Sequence, residues 1–141
     1  MKAVILVGLA VIWVASPSVA AEAGSGDREC RYRASFNCAK ADDAMSRAIC
    51  TTPDLLAADC AMGYAYRDAR DRTGPDSRDD LRNSQRKWVA LRDAHCEKRA
   101  GAEMVPCLKG ETERRIRWLI DRYHLPGTGM VYDRYRVIRE K

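Results

Sequence analysis

The sequence predicts an all-α fold: a small disulfide-stapled bundle or hairpin of about three main helices, between an irregular N-terminal segment and a C-terminal tail. Three observations predict it. Apolar residues recur at helical spacing in three segments, each with start and stop signals. No alternating strand pattern competes with them. Six cysteines (Cys30, Cys38, Cys50, Cys60, Cys96 and Cys107) lie behind a removable leader. An even cysteine count in a small exported domain reads as a disulfide framework.

The leader carries one charge, Lys2, then an apolar run from Ala3 to Ala15. Ser18 and Ala20 suit a signal peptidase site, with Val19 and Ala21 as the alternative register. The run is shorter than the roughly 20 apolar residues a membrane span needs, so it reads as a secretory core. Residues 1–21 are therefore read as a signal peptide, 22–34 as a flexible lead-in, 35–125 as the helical domain and 126–141 as the tail. A lipid anchor would put a cysteine directly after cleavage. Here Asp27-Arg28-Glu29 precede Cys30, the first cysteine, which predicts a soluble mature protein in the periplasm or medium.

The net charge is +5, and removing Lys2 lowers it by one. Basic and acidic residues alternate, as in Arg67-Asp68-Ala69-Arg70-Asp71-Arg72, which reads as a solvated helix surface with local ion pairs. Without a dense basic stripe, nucleic acid is not an expected partner.

A short helix is plausible around Asp43–Cys50. Thr52-Pro53-Asp54 then opens a long one: threonine can cap, proline suits the first helical position and aspartate favours the positive end. Its face reads Leu55, Met62 and Tyr66, with Asp59 among them, and Gly74-Pro75 ends it near Arg72. The second long helix starts at Asp76-Ser77, where Asp80 stands three residues after Ser77 as in a capping box. Its inward face reads Leu81, Gln85, Trp88, Leu91 or Arg92, then His95. Lys98, Arg99 and Gly101 fit its end. The third opens near Pro106, runs along Leu108, Thr112, Ile116, Leu119 and Tyr123, and closes at Pro126-Gly127. The tail carries Tyr132 and Tyr135.

Six cysteines allow 15 connectivities, and sequence alone does not choose among them. Local geometry favours one. Antiparallel helices bring Cys96 and Cys107 together, Cys38–Cys50 closes the N-terminal loop in the same way, and Cys30 and Cys60 remain.

Asp59 sits where an apolar residue would suit the helix face. A buried carboxylate needs a partner, so Asp59 is expected to pair with Arg92 or Arg86 and fix helix register. A catalytic acid is the weaker reading, because no second carboxylate stands at a clear spacing. His95 and His124 with Cys96 and Cys107 lack the paired spacing of a zinc site, and oxidised cysteines do not ligate metal. Haem attachment, a redox Cys-x-x-Cys pair, a serine elbow and a phosphate loop have no motif here. No cofactor and no metal are expected. Trp88 and Trp118 read as core residues.

Several of these residues together resemble a known family. Ser35-Phe36-Asn37-Cys38-Ala39-Lys40-Ala41 resembles its SFDCAKA opening. Arg47-Ala48-Ile49-Cys50, followed by Pro53-Asp54-Leu55, resembles its KAIC…PELA segment. Asp59 and Tyr66 stand at the positions of its LD…L…Y helix. Gln85-Arg86-Lys87-Trp88, Arg92-Asp93 and Cys96 resemble QRxWLxxRDxC, and Cys107-Leu108 with Arg115-Ile116 match its CL…RI close. Over about residues 35–120 the chain resembles the LprI-type lysozyme inhibitors, exported bacterial proteins.

The resemblance implies a small non-enzymatic helical domain that inhibits animal-type lysozyme or a related muralytic enzyme. Cys30 and Cys60 depart from the family's four-cysteine pattern, and pairing with each other explains both. Steric blocking of the enzyme's cleft is the expected mechanism. The resemblance does not indicate the contact surface; the residues place it either at the turn Thr73–Asp79, with Asp76 and Asp79, or at Tyr132 and Tyr135 in the tail. Because animal-type lysozymes are usually basic, net positive charge gives no long-range attraction. The alternative is a structural or envelope-stress domain that binds cell-wall material or an endogenous partner. A weak hydrolase is a third reading, disfavoured by the missing catalytic set.

Overall fold

The computed structural model describes residue 30, residues 33–99 and residues 101–125. The leader, nearly all of the lead-in, and the tail with Tyr132, Tyr135 and the Pro126-Gly127 stop lie outside the described residues. The described residues form four α-helices: α1 (Ala44–Thr51), α2 (Pro53–Arg72), α3 (Pro75–Glu97) and α4 (Met104–Tyr123). Single 3₁₀ turns at Cys38–Lys40 and Gly101–Glu103 precede α1 and α4, and the described residues contain no strand. About three main helices are expected and four are found; the fourth is the short α1, which lies where the sequence suggests a short helix, Asp43–Cys50.

Each helix starts for a local reason. Asp43 caps α1 by accepting the Ser46 amide at 2.8 Å, and it also takes the Ser46 hydroxyl. Those bonds, the hydroxyl's first, hold its carboxyl below the usual aspartate range against a small opposing effect of burial. Thr52 stands at the cap of α2, with Pro53 in the first turn, but its hydroxyl makes no capping bond. The second long helix begins at Pro75 with Gly74 as its cap, so the Ser77/Asp80 capping box does not form. Proline preset for the first turn decides that start. At the end of α4, His124 adopts a left-handed conformation with φ 48°. The next amide, Leu125, bonds back to the Ile120 carbonyl at 3.1 Å. Leu125 is thereby turned into the core, where it is 3% exposed. This hydrophobic closure is typical of a helix ending in a left-handed residue.

The helix contacts are unequal. α2 lies along α4 in the most extensive contact, α1 packs on α2, α3 packs on α4, and α2 and α3 touch only thinly. The α2–α4 seam is built from a small face and a large one. Ala58, Ala61, Ala65 and Ala69 are buried along α2 at spacings of three and four. Leu108, Ile116 and Leu119 of α4 are fully buried. Short side chains on one helix let the other approach closely, and the larger ones fill the space. Around this seam the core forms two clusters. One gathers Ala65, Ala69, Leu81, Ile116, Leu119 and Leu125 near the α2–α3 turn. The other gathers Met45, Ile49, Leu55, Cys96 and Leu108 at the opposite end.

Three disulfides tie the ends: Cys30–Cys60, Cys38–Cys50 and Cys96–Cys107. Each adds about 2–4 kcal/mol in the usual account of a restricted unfolded chain, a large share of a typical stability of about 5–15 kcal/mol.

The inward face of α3 is Leu81, Gln85, Trp88 and Arg92. Leu91 is 60% exposed, and His95 is exposed as well. Trp88 is half-buried against the core, whereas Trp118, expected inside, is 41% exposed. It sits on the flank of α4, one step beyond the buried Arg115.

Because the α2–α4 seam depends on small residues, Ala65→Leu should lower stability by about 1–3 kcal/mol through overpacking. Urea unfolding of the oxidised protein checks this, and an unchanged midpoint would contradict the packing described.

Candidate functional site

The N-terminal segment lies over α2, and three features hold it there. Cys30 is bonded to Cys60 in the middle of α2. The Ser35 amide donates to Asp59 Oδ2 at 2.6 Å. Gly63, one turn further along, leaves room for the segment: a Cβ there would lie 2.7 Å from Ser35 Cβ. A glycine inside a helix carries a propensity cost, and close approach of another chain segment is a physical reason for it.

This corrects the expected role of Asp59. The side chain is buried, 3% exposed, but its bond goes to a backbone amide of the lead segment and not to α3. Arg92 is also buried and turns instead to Asp93, with Nη2 at 2.7 Å and Nε at 2.8 Å from Oδ1. Its guanidinium also lies 5.0 Å from the Trp88 ring centroid. Arg86 is exposed. Asp59 therefore fixes the N-terminal segment on α2, while Arg92 is satisfied on its own helix. A partner contributed by a backbone amide 24 residues away leaves no side-chain signal in the sequence.

Between the segment 33–36, α2 and α3 lies an open groove of about 670 Å³. Met62, Asp59 and Arg92 line it together with Phe36, Tyr64, Tyr66, Arg67, Gln85 and Val89. Arg67 stacks on Tyr64 at 4.3 Å. The groove exists because α2 gives its alanine face to α4 and separates from α3. Sequence reading did not find it; Gly63 was the available signal.

The α2–α3 turn is the opposite kind of surface. Thr73 closes α2 by donating its hydroxyl to the Ala69 carbonyl at 2.7 Å. Every residue from Gly74 to Asp80 is exposed. Asp76 and Asp79 stand on the first turns of α3. Arg78 is drawn back to the Thr73 carbonyl at 3.2 Å, and Arg82 pairs with Asp79 at 2.8 Å. The turn is an exposed helical tip of mixed charge.

Among the described residues no group of three or more histidine, cysteine or acidic side chains is placed to hold a metal. His95 Nε2 faces Glu111 at 3.7 Å, and His124 sits at the end of α4. No helix among the described residues is long and apolar enough to cross a membrane.

Among the described residues the chain is an all-α domain with three disulfides, a groove beside α2 and an exposed helical tip. The chain belongs to the family described as Lysozyme inhibitor LprI, which matches residues 38–119, more than half of its length. No curated protein and no solved structure matches it. The family match contains the Cys38–Cys50 and Cys96–Cys107 links. Cys30 and the groove wall at 33–36 lie before it.

Gly63→Ala sets two effects against each other. Helix propensity favours alanine by about 0.5–1 kcal/mol, and overpacking against Ser35 costs about 1–3 kcal/mol. Net destabilisation and faster exchange of the Ser35 amide are expected. A more stable variant with a protected Ser35 amide would contradict the close approach.

Proposed function

We propose that the mature chain is an exported, non-enzymatic inhibitor that binds lysozyme and blocks its cleft sterically. Membership of the lysozyme inhibitor family is the observation that carries this reading. Residues 1–21 act as the signal peptide, and the protein works in the periplasm or outside the cell. That setting also suits a domain with three disulfides.

A glycosidase that cuts a polymer needs an open cleft flanked by its two carboxylates, and a convex element can fill such a cleft. The α2–α3 tip is the candidate for that element. It is exposed from Gly74 to Asp80 and stiffened by helices on both sides. Its sequence needs no rearrangement to present Asp76 and Asp79. Arg78 and Arg82 are engaged locally, which leaves Asp76 available to a basic enzyme. Tyr132 and Tyr135 are the other candidate contact and lie outside the described residues.

The test is a turbidity assay of cell-wall lysis by hen-type lysozyme with the oxidised chain from Glu22 onward. Inhibition is expected, and Asp76→Ala/Asp79→Ala should weaken it about tenfold, equivalent to about 1.4 kcal/mol. Both residues are exposed, and loss of the helix-start charge and of the Asp79–Arg82 pair should cost no more than about 1–2 kcal/mol, so the variant should remain folded. Undiminished inhibition by this variant and by Tyr132→Ala/Tyr135→Ala would remove both contact surfaces. Absence of any inhibition at physiological salt would remove the function itself.

A further inference from the structure

The groove beside α2 is an apolar surface that the described residues leave open. Phe36, 37% exposed, lines it together with Met62, Tyr66 and Val89. Its charged residues are mixed in sign and already engaged. Asp93 takes Arg92, Asp59 takes the Ser35 amide, Arg67 stacks on Tyr64, and Arg33 also has a partner. What the groove offers an occupant is therefore apolar and aromatic contact, and charge selects no ligand for it.

The chain itself carries a segment of matching chemistry. Residues 22–29, on the N-terminal side of the groove wall, contain no large apolar side chain. The C-terminal tail contains six within the nine residues from Met130 to Ile138: Met130, Val131, Tyr132, Tyr135, Val137 and Ile138. Contiguous apolar surface of this kind is ordinarily covered in a small protein.

The tail also starts in the right place. Leu125, its last described neighbour, is buried in the core cluster against which Tyr64 and Tyr66 pack, and both tyrosines line the groove. The left-handed His124 ends α4 and turns the chain off the helix axis. Tyr132 and Tyr135 stand seven and ten residues beyond Leu125, a reach of up to about 25 and 35 Å at about 3.3–3.6 Å per residue. Along α3 the groove runs from Gln85 to Asp93, about 12 Å at about 1.5 Å per residue. The tail is long enough to enter the groove and to follow it.

Tethering favours this occupant over any other. A segment of the same chain meets its site at an effective concentration of about millimolar, so a modest apolar fit is filled from within before a dilute partner or a second copy arrives. We propose that the tail, residues 126–141, occupies the groove between α2, α3 and segment 33–36, with Tyr132 and Tyr135 as its anchors. Tyrosine suits an open groove, because its ring is apolar and its hydroxyl stays at the wet mouth. The occupied groove is closed to other ligands. The inference does not rest on the inhibitor reading.

The experiment is site-specific photo-crosslinking in the oxidised chain from Glu22 onward, with p-benzoylphenylalanine in place of Tyr135. Irradiation of a dilute solution, then digestion and mass mapping, should give links within one chain to Phe36, Tyr66 or Val89. Val89→Arg puts a charged side chain into the groove and should lower the yield about tenfold. Phe36→Ala, at an exposed position, should lower it about threefold, and it serves in place of a Val89→Arg chain that does not fold. Circular dichroism and a disulfide count by mass establish which variants are folded. Four results would overturn the proposal. They are links only to surfaces outside the groove, no links above those of the urea-unfolded chain, a yield that neither substitution changes, and links between chains, which mark a second copy as the occupant.

Discussion

The architecture depends on a row of alanines. Ala58, Ala61, Ala65 and Ala69 are each 3% exposed or less, and they set how closely α4 approaches α2. A larger side chain on this row would have to push the two helices apart. The hydrophobic gain therefore comes mainly from the facing Leu108, Ile116 and Leu119, each worth about 1.5–3 kcal/mol when fully buried. Alanine contributes proximity and good helix propensity in place of buried area. A core this thin explains the three covalent links in a domain of this size.

Once the alanine face is committed to α4, the rest of α2 must find other cover. Leu55 goes to α1 and the Cys96–Cys107 end. Asp59 and Gly63 go to the N-terminal segment, which the Cys30–Cys60 link holds in place. Met62 is buried in the core, where Gln85 of α3 reaches its sulfur at 2.8 Å, and Tyr66 lines the groove. The α2–α3 turn then becomes a tip because the helices on either side share little contact below it. The features offered for binding are consequences of which face of α2 was spent on packing.

Helix boundaries were legible where proline and glycine punctuate the chain. Pro53 and Gly74-Pro75 mark α2 and the start of α3 because their backbone restrictions act locally. The links Cys38–Cys50 and Cys96–Cys107 follow from short loops between helix ends, and their positions are evident without tertiary information. Other features were not legible. The row Leu55, Met62 and Tyr66 does turn to the core, with Leu55 and Met62 buried and Tyr66 packed against it, but the alanine stripe beside it gives a weak hydrophobic signal and was not read. Asp59 announced burial but not its partner, since a backbone amide carries no residue type. Leu91 or Arg92 stayed open on periodicity alone; the arginine is inside because Asp93 and the Trp88 ring accommodate its charge. Trp118 looked like core for its size, whereas Arg115 holds the buried position and the indole lies over it.

The family gives the class of activity, and the proposed contact is the exposed tip between α2 and α3. Amide hydrogen exchange of the oxidised mature protein, with and without hen-type lysozyme, tests that claim most directly. The account predicts new protection across residues 73–80, at the end of α2 and the first turns of α3, and none around Trp118. Protection confined to the groove at 33–36 and 85–93, or no protection at saturating enzyme, would contradict it.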